Sequence, residues 1–168
     1  MATEFRNFLR RQQLSMGLIN IVCNGLAAWL LTEGMYLSLW QGKGAMGPDL
    51  LATSLILAYL VTLGGAFGLR KQRERGKTPA LVSTVHPLIG KLPRSTGKLA
   101  LVVAALGTAI GALLALAMWA LGLDPFPREG YVVLKSLYAG LLAMFCNYLV
   151  IMIVLGDNGP AATEAAAG

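Results

Sequence analysis

Charge disappears from four long stretches of this chain. Residues 14–32, 50–69, 99–123 and 132–155 hold a single charged side chain among them, Lys135. A helix needs about 20 mainly apolar residues to cross a hydrocarbon core, and each stretch meets that length. The pattern predicts an all-α membrane protein of four antiparallel transmembrane helices, forming one domain over residues 1–156. A basic loop, 70–98, separates the second span from the third. The small, polar tail 157–168 is expected to be disordered.

Punctuation between the spans refines this plan. Residues 35–40 form a short amphipathic tail that either continues the first helix or lies along the interface. Gly42, Gly44, Gly47 and Pro48 make a turn, with Pro48 suited to the first turn of span two. Pro125 and Pro127 stop span three, and the short connection makes spans three and four antiparallel neighbours. In the long loop an apolar stretch, 80–89, lies between Pro79 and Pro93 and is expected to rest on lipid headgroups. Ser95 or Thr96 can cap the start of span three.

Small residues indicate how the spans pack. Ala100, Ala104, Gly107, Thr108, Gly111 and Ala115 recur mostly at three- and four-residue steps in span three. Span two carries Gly64, Gly65 and Gly68, and span four carries Ala139, Gly140 and Ala143. Such stripes let helix backbones approach closely, which substitutes for the hydrophobic drive missing in lipid. The bundle is therefore expected to pack through span three, with a dimer seam as the alternative use of the same residues.

Composition agrees with the pattern and removes the soluble classes. Hydrophobic residues make up 56% of the chain and charged residues 13%, about half the 25% of an ordinary soluble domain. Cys23 and Cys146 both fall in apolar stretches and read as buried free thiols rather than a disulfide. A basic leader (Arg6, Arg10, Arg11) precedes the first span, but no small-x-small cleavage site follows it, so that span is expected to be retained.

The basic residues orient the bundle. Eleven Lys and Arg lie before span one or between spans two and three, against three on the other side: Lys43, Arg128 and Lys135. Short basic loops stay in the cytoplasm, so both termini and the loop 70–98 are expected there, with anionic lipid facing that loop. Trp29, Tyr36, Trp40, Trp119 and Tyr131 fall where an outer aromatic belt would form.

Two features inside the spans carry candidate chemistry. Asn20 and Asn24 are one helical turn apart, at roughly 9 and 15 Å from the cytoplasmic end of span one. Thr62, Thr108 and Asn147 fall at a similar depth by the same count. The five form either an inter-helix polar layer, with amides bonding across helices, or a polar constriction or small-solute site between them. Near the outer mouth, Lys135 can snorkel or pair with Glu33, Asp49 or Asp124, and Glu33 is the expected partner.

Other chemistries lack their residues. The one histidine, His86, is in the loop, so no intramembrane haem ligand exists. No Asp or Glu sits near the centre of a span, as ion-coupled carriers require. "GKLPRSTGK" has six residues between its glycines and leucine after the final lysine, so it is not a phosphate loop. No C-x-x-C, H-E-x-x-H or Ser–His arrangement supports an enzyme, and no metal or other cofactor is expected. Topology explains the basic loop without nucleic acid.

At "NGLAAWLL" in span one and "VLKSLYAGLLA" in span four the chain resembles a group of small bacterial four-span proteins, often labelled permease or hypothetical membrane protein. The resemblance implies a bacterial inner membrane and leaves the activity open. The expected function is a non-catalytic accessory or scaffold subunit, or a homo-oligomer. The alternative is a small-solute transporter or channel with its pathway through the asparagine layer.

Overall fold

A computed structural model describes residues 2–42, 44–79 and 91–156. Lys43, the apolar stretch 80–89 with His86, and the tail 157–168 lie outside the described residues. The elements in order are α1 (Ala2–Leu31), β1 (Tyr36–Leu37), α2 (Met46–Glu74), α3 (Thr96–Ala120), β2 (Phe126–Pro127) and α4 (Arg128–Gly156). All four helices are long and apolar enough to cross a membrane.

The helices overrun the apolar stretches. α1 continues back through Arg6, Arg10 and Arg11, and α2 runs on through Arg70, Lys71 and Arg73. A basic side chain is no obstacle to helical backbone, so hydropathy marks the apolar part of each helix and not its ends. α2 and α3 both stop at glycines in the left-handed region, Gly76 (φ 65°) and Gly122 (φ 69°). At each cap the glycine N–H and the next N–H reach back to carbonyls of the last turn, Arg73 and Gln72 for α2, Trp119 and Met118 for α3. Span three thus ends before Pro125 and Pro127 could stop it. Ser95 occupies the N-cap of α3, but its side chain makes no capping bond.

The tail 35–40 neither continues α1 nor forms a surface helix. Tyr36 and Leu37 pair antiparallel with Pro127 and Phe126, a two-residue ribbon that ties the α1–α2 connection to the α3–α4 connection. Leu39 N–H donates to Asp124 Oδ1 at 3.0 Å. The Ser38 and Leu39 carbonyls accept from Met46 and Gly47 N–H, two donors that the first turn of α2 cannot satisfy itself. Leu37, Leu39, Met46, Leu50, Met118 and Tyr131 close a buried apolar cluster beneath this ribbon. We refer to this as the ribbon end. At the opposite, basic end Phe5, Leu69, Val150 and Val154 form a second cluster.

α4, not α3, is the central helix. Of its most apolar window 72% is buried, against 39% for α3, 33% for α2 and 11% for α1. α4 packs on α1 and α2, whereas α3 packs chiefly on α2. Spans three and four are therefore joined by a short connection without sharing the main seam. Leu99 and Val103 still reach the cluster of Leu142, Ala143 and Cys146 through side chains.

Glycine sets both close seams. A Cβ on Gly140 would lie 3.1 Å from the Gly17 carbonyl oxygen, and one on Gly17 would strike the Met144 thioether at 2.8 Å. On the α2–α3 seam, a Cβ on Gly107 would meet the Ala58 methyl at 2.8 Å and the Ser54 carbonyl at 3.2 Å, and Gly111 lies against Ser54. Ala104, Ala139 and Ala143 are buried. Gly64 and Gly68 differ from the sequence reading, since a Cβ on either would meet nothing within 4 Å. The glycine of α2 that faces α4 is Gly65, beside Val150 and Asn147.

Candidate functional site

The most concentrated polar group lies one to two turns into α2 and α4, beneath the ribbon. Lys135 is 3% exposed, and its Nζ donates to Asp49 Oδ1 at 2.7 Å and Oδ2 at 2.6 Å. The fully buried Tyr131, one turn earlier on α4, donates its hydroxyl to Asp49 Oδ2 at 2.5 Å. The carboxylate thus accepts three hydrogen bonds from one helix and is neutralised by an adjacent ammonium, which is what a buried ion pair requires. One turn deeper, Ser54 Oγ donates to the Leu50 carbonyl and lies 2.6 Å from Tyr138 Oη. Because the serine proton goes to Leu50, the phenol is the donor to Ser54.

The pairing of Lys135 with Asp49 corrects the expectation that Glu33 would be its partner. Glu33 lies beyond the last turn of α1, is exposed, and precedes Gly34, whose φ of 87° turns the chain away. Arg128 occupies the end of α1 instead. Its Nη2 donates to the Trp29 carbonyl at 2.6 Å, its Nε to Thr32 Oγ1 at 3.3 Å, and its guanidinium lies 4.4 Å from the centre of the Trp29 ring. Signals for the true pair existed in sequence: Asp49 and Lys135 both fall in the first two turns of their helices, so α2 and α4 need only start side by side.

The amides do not form a cross-helix layer. Asn20 Nδ2 donates to the Met16 carbonyl at 2.9 Å and Asn24 Nδ2 to the Asn20 carbonyl at 3.1 Å, both within α1. Thr108 likewise donates to Ala104 within α3. A short polar side chain in a helix reaches the carbonyl one turn back without help from a neighbour, and that local bond wins here. Thr62 and Asn147 are buried among α2 and α4, and neither Thr62 Oγ1 nor Asn147 Nδ2 has a hydrogen-bond partner among the described residues.

What Asn20 and Asn24 line is a cleft of about 360 Å³ between α1 and α2. Ala27 and Leu31 extend its α1 wall, Thr53, Leu57 and Leu60 belong to its α2 wall, and Asp49 and Lys135 also border it. One turn further towards the basic end, a second chamber of about 100 Å³ lies between the same helices. Gln12, Gln72 and Asn147 line it from α1, α2 and α4, and Gly64, Gly65 and Gly68 leave part of its α2 wall without side chains. Gln12 and Gln72 went unrecognised in the sequence because they lie in basic flanks that hydropathy assigns to loops. Their register was nevertheless available: Gln12, Met16, Asn20 and Asn24 follow one another at four-residue steps.

Fold and site together define, among the described residues, an all-helical protein with four helices of membrane-crossing length and two neighbouring clefts beside the first two. Comparison with protein-family models, with curated proteins and with solved structures gives no match to this chain.

Proposed function

We propose that this is a multi-pass, permease-like membrane protein whose solute path is the groove between α1 and α2. The observation that carries this reading is the cleft itself. Asn20 and Asn24, satisfied within α1, line open space instead of bridging helices. A helix pair that leaves amides and an ion pair at the wall of a solute-sized cleft fits binding better than glue. In this reading the helices are antiparallel spans of a bacterial inner membrane, with both termini and the basic end cytoplasmic and facing anionic lipid. No covalent chemistry is assigned to it.

Protein reconstituted into liposomes tests the path. Release of an entrapped mixture of small neutral, zwitterionic and charged solutes is expected to exceed that of protein-free liposomes for at least one solute. Asn24→Trp, which fills the cleft, is expected to remove the excess. Release that never exceeds the protein-free rate overturns the proposal.

A second reading, an accessory subunit or homo-oligomer, draws on a separate feature. An apolar groove of about 430 Å³, lined by Leu55, Tyr59, Leu101 and Ala105, lies on the outer face of α2 and α3. Native mass spectrometry after mild solubilisation distinguishes this reading: a discrete complex supports it, and a monomer with only lipid adducts counts against it.

A further inference from the structure

We propose that the groove selects small uncharged solutes carrying both hydrogen-bond donors and acceptors, of the polyol and amide class, and that Asn147 is their contact in the second chamber. This rests on the solute path proposed above and adds its selectivity. Three independent features of the lining support it.

The charge is already balanced. Among the described residues, Asp49 and Lys135 are the only charged ones that line either chamber, and they face each other at 2.6 Å. With two bonds from Lys135 and one from Tyr131, the carboxylate is committed to the protein. An ion, or either end of a zwitterion, would therefore enter a largely apolar cleft without a counter-charge, at a heavy desolvation cost.

Beyond that pair the polar lining is almost wholly carboxamide. Asn20, Asn24, Gln12, Gln72 and Asn147 line the two chambers in succession. Each carboxamide offers both a donor and an acceptor group, so the set matches neutral molecules that present both and has no preference for one sign of charge.

Asn147 supplies the pointer to a ligand. It is 4% exposed, lines the second chamber, and its Nδ2 has no acceptor among the described residues. That nitrogen is enclosed, while the Oδ1 end of the same carboxamide lies towards Gly65 on the chamber wall. A half-turn of the amide exchanges the two ends, so an acceptor oxygen in the chamber is met by a donor whose bond is otherwise left unmade. The chamber's 100 Å³ has room for several water-sized groups, which suits small solutes.

Stopped-flow light scattering of proteoliposomes tests this with osmotic gradients of glycerol, urea, glycine and potassium chloride. Wild-type protein is expected to speed the equilibration of glycerol and urea, leaving glycine and potassium chloride at the protein-free rate. Asn147→Leu is expected to lose the glycerol and urea flux, while Asn147→Ser, which keeps a donor, retains part of it. Both variants are first checked for monodisperse elution, so that loss of flux is not loss of fold. Faster flux of glycine or potassium chloride leaves a solute path standing and overturns its selectivity. Undiminished glycerol and urea flux through Asn147→Leu overturns the role of Asn147. Acceleration of none of the four overturns this inference, and the broader mixture then decides whether any path exists.

Discussion

Lys135 on α4 and Asp49 on α2 form an ion pair at 2.6 Å in which the lysine is almost wholly enclosed while the carboxylate side chain keeps 29% of its exposure. The asymmetry decides what each substitution does. Lys135→Met leaves a carboxylate bonded to Tyr131 but without its counter-charge, and breaking a buried pair in this way costs about 3–5 kcal/mol. Asp49→Asn strands an enclosed ammonium and is expected to cost at least as much. Combining the two should cost clearly less than the sum, since neither charge then remains unpaired. Glu33→Gln is expected to stay within about 0.5 kcal/mol of wild type, as exposed substitutions do. Thermal unfolding in detergent measures all four, and equal effects of Glu33→Gln and Lys135→Met would overturn the assignment.

The amides make the opposite prediction. Asn20 and Asn24 bond within α1, so Asn24→Leu and Asn147→Leu should each change stability modestly and the double variant should be additive within about 0.5 kcal/mol. Coupling well beyond that margin would mean that the two side chains touch. Replacing Asn147 alone with leucine is expected to stabilise slightly if the larger apolar side chain can be accommodated, because it removes a buried donor without an acceptor.

How much of this was legible in the sequence depends on the range of the interaction concerned. The existence of four long apolar helices follows from where charge is missing, a local property, and the helices occur where it is missing. Helix ends were less legible, because Arg10 and Arg70 are as compatible with helix as with loop and because Gly76 and Gly122 act through backbone geometry, which hydropathy does not register. Partner choice was least legible. Glu33 and Asp49 lie equally near the end of a span, and only the packing of α2 against α4, with Arg128 taking the end of α1, separates them. Span three has the more regular small-residue stripe, yet α4 became the centre. Its Gly140 meets α1 and its Ala139, Ala143 and Asn147 are buried, so one helix serves two seams.

The α1–α4 seam can be tested against the glycines that looked alike in sequence. Gly140→Leu would drive a side chain at Ile21 and the Gly17 backbone, and backbone cannot yield as a flexible side chain can. Overpacking of this kind costs about 1–3 kcal/mol. Gly64→Ala and Gly68→Ala meet nothing within 4 Å and are expected to leave stability unchanged or raise it by up to about 1 kcal/mol through helix propensity. Detergent melting curves that ranked Gly64→Ala as worse than Gly140→Leu would overturn the seam.

At the ribbon end Arg128 supplies the positive charge that the last turn of α1 lacks from its own sequence. Cations near a helix C-terminus stabilise its unpaired carbonyls by about 0.3–1 kcal/mol, and more when partly buried. Arg128→Ala is expected to speed amide hydrogen exchange in residues 28–32 without affecting the α2–α3 seam. Arg128→Lys should recover only part of the protection, because an ammonium cannot span the Trp29 carbonyl and Thr32 hydroxyl as the guanidinium fork does. Uniform acceleration across all four helices would indicate a general loss of fold and not a cap.

Orientation is the prediction on which the proposed path depends, since it decides from which compartment each chamber is entered. Eleven basic residues flank the apolar stretches at one end, and a bias of that size in short segments is expected to hold them on the cytoplasmic side. Gln41 beyond β1 and Lys91 before α3 are both exposed and lie in the connections at opposite ends of α2. Single cysteines at these positions, with Cys23→Ser in the background and the fully buried Cys146 retained, report the side directly. A membrane-impermeant maleimide applied to intact cells is expected to label the Gln41→Cys variant and to reach the Lys91→Cys variant only after permeabilisation. The reverse pattern would exchange the two entrances. Labelling of both in intact cells would mean that α2 does not cross the membrane, and with that the groove between α1 and α2 would cease to be a path across it.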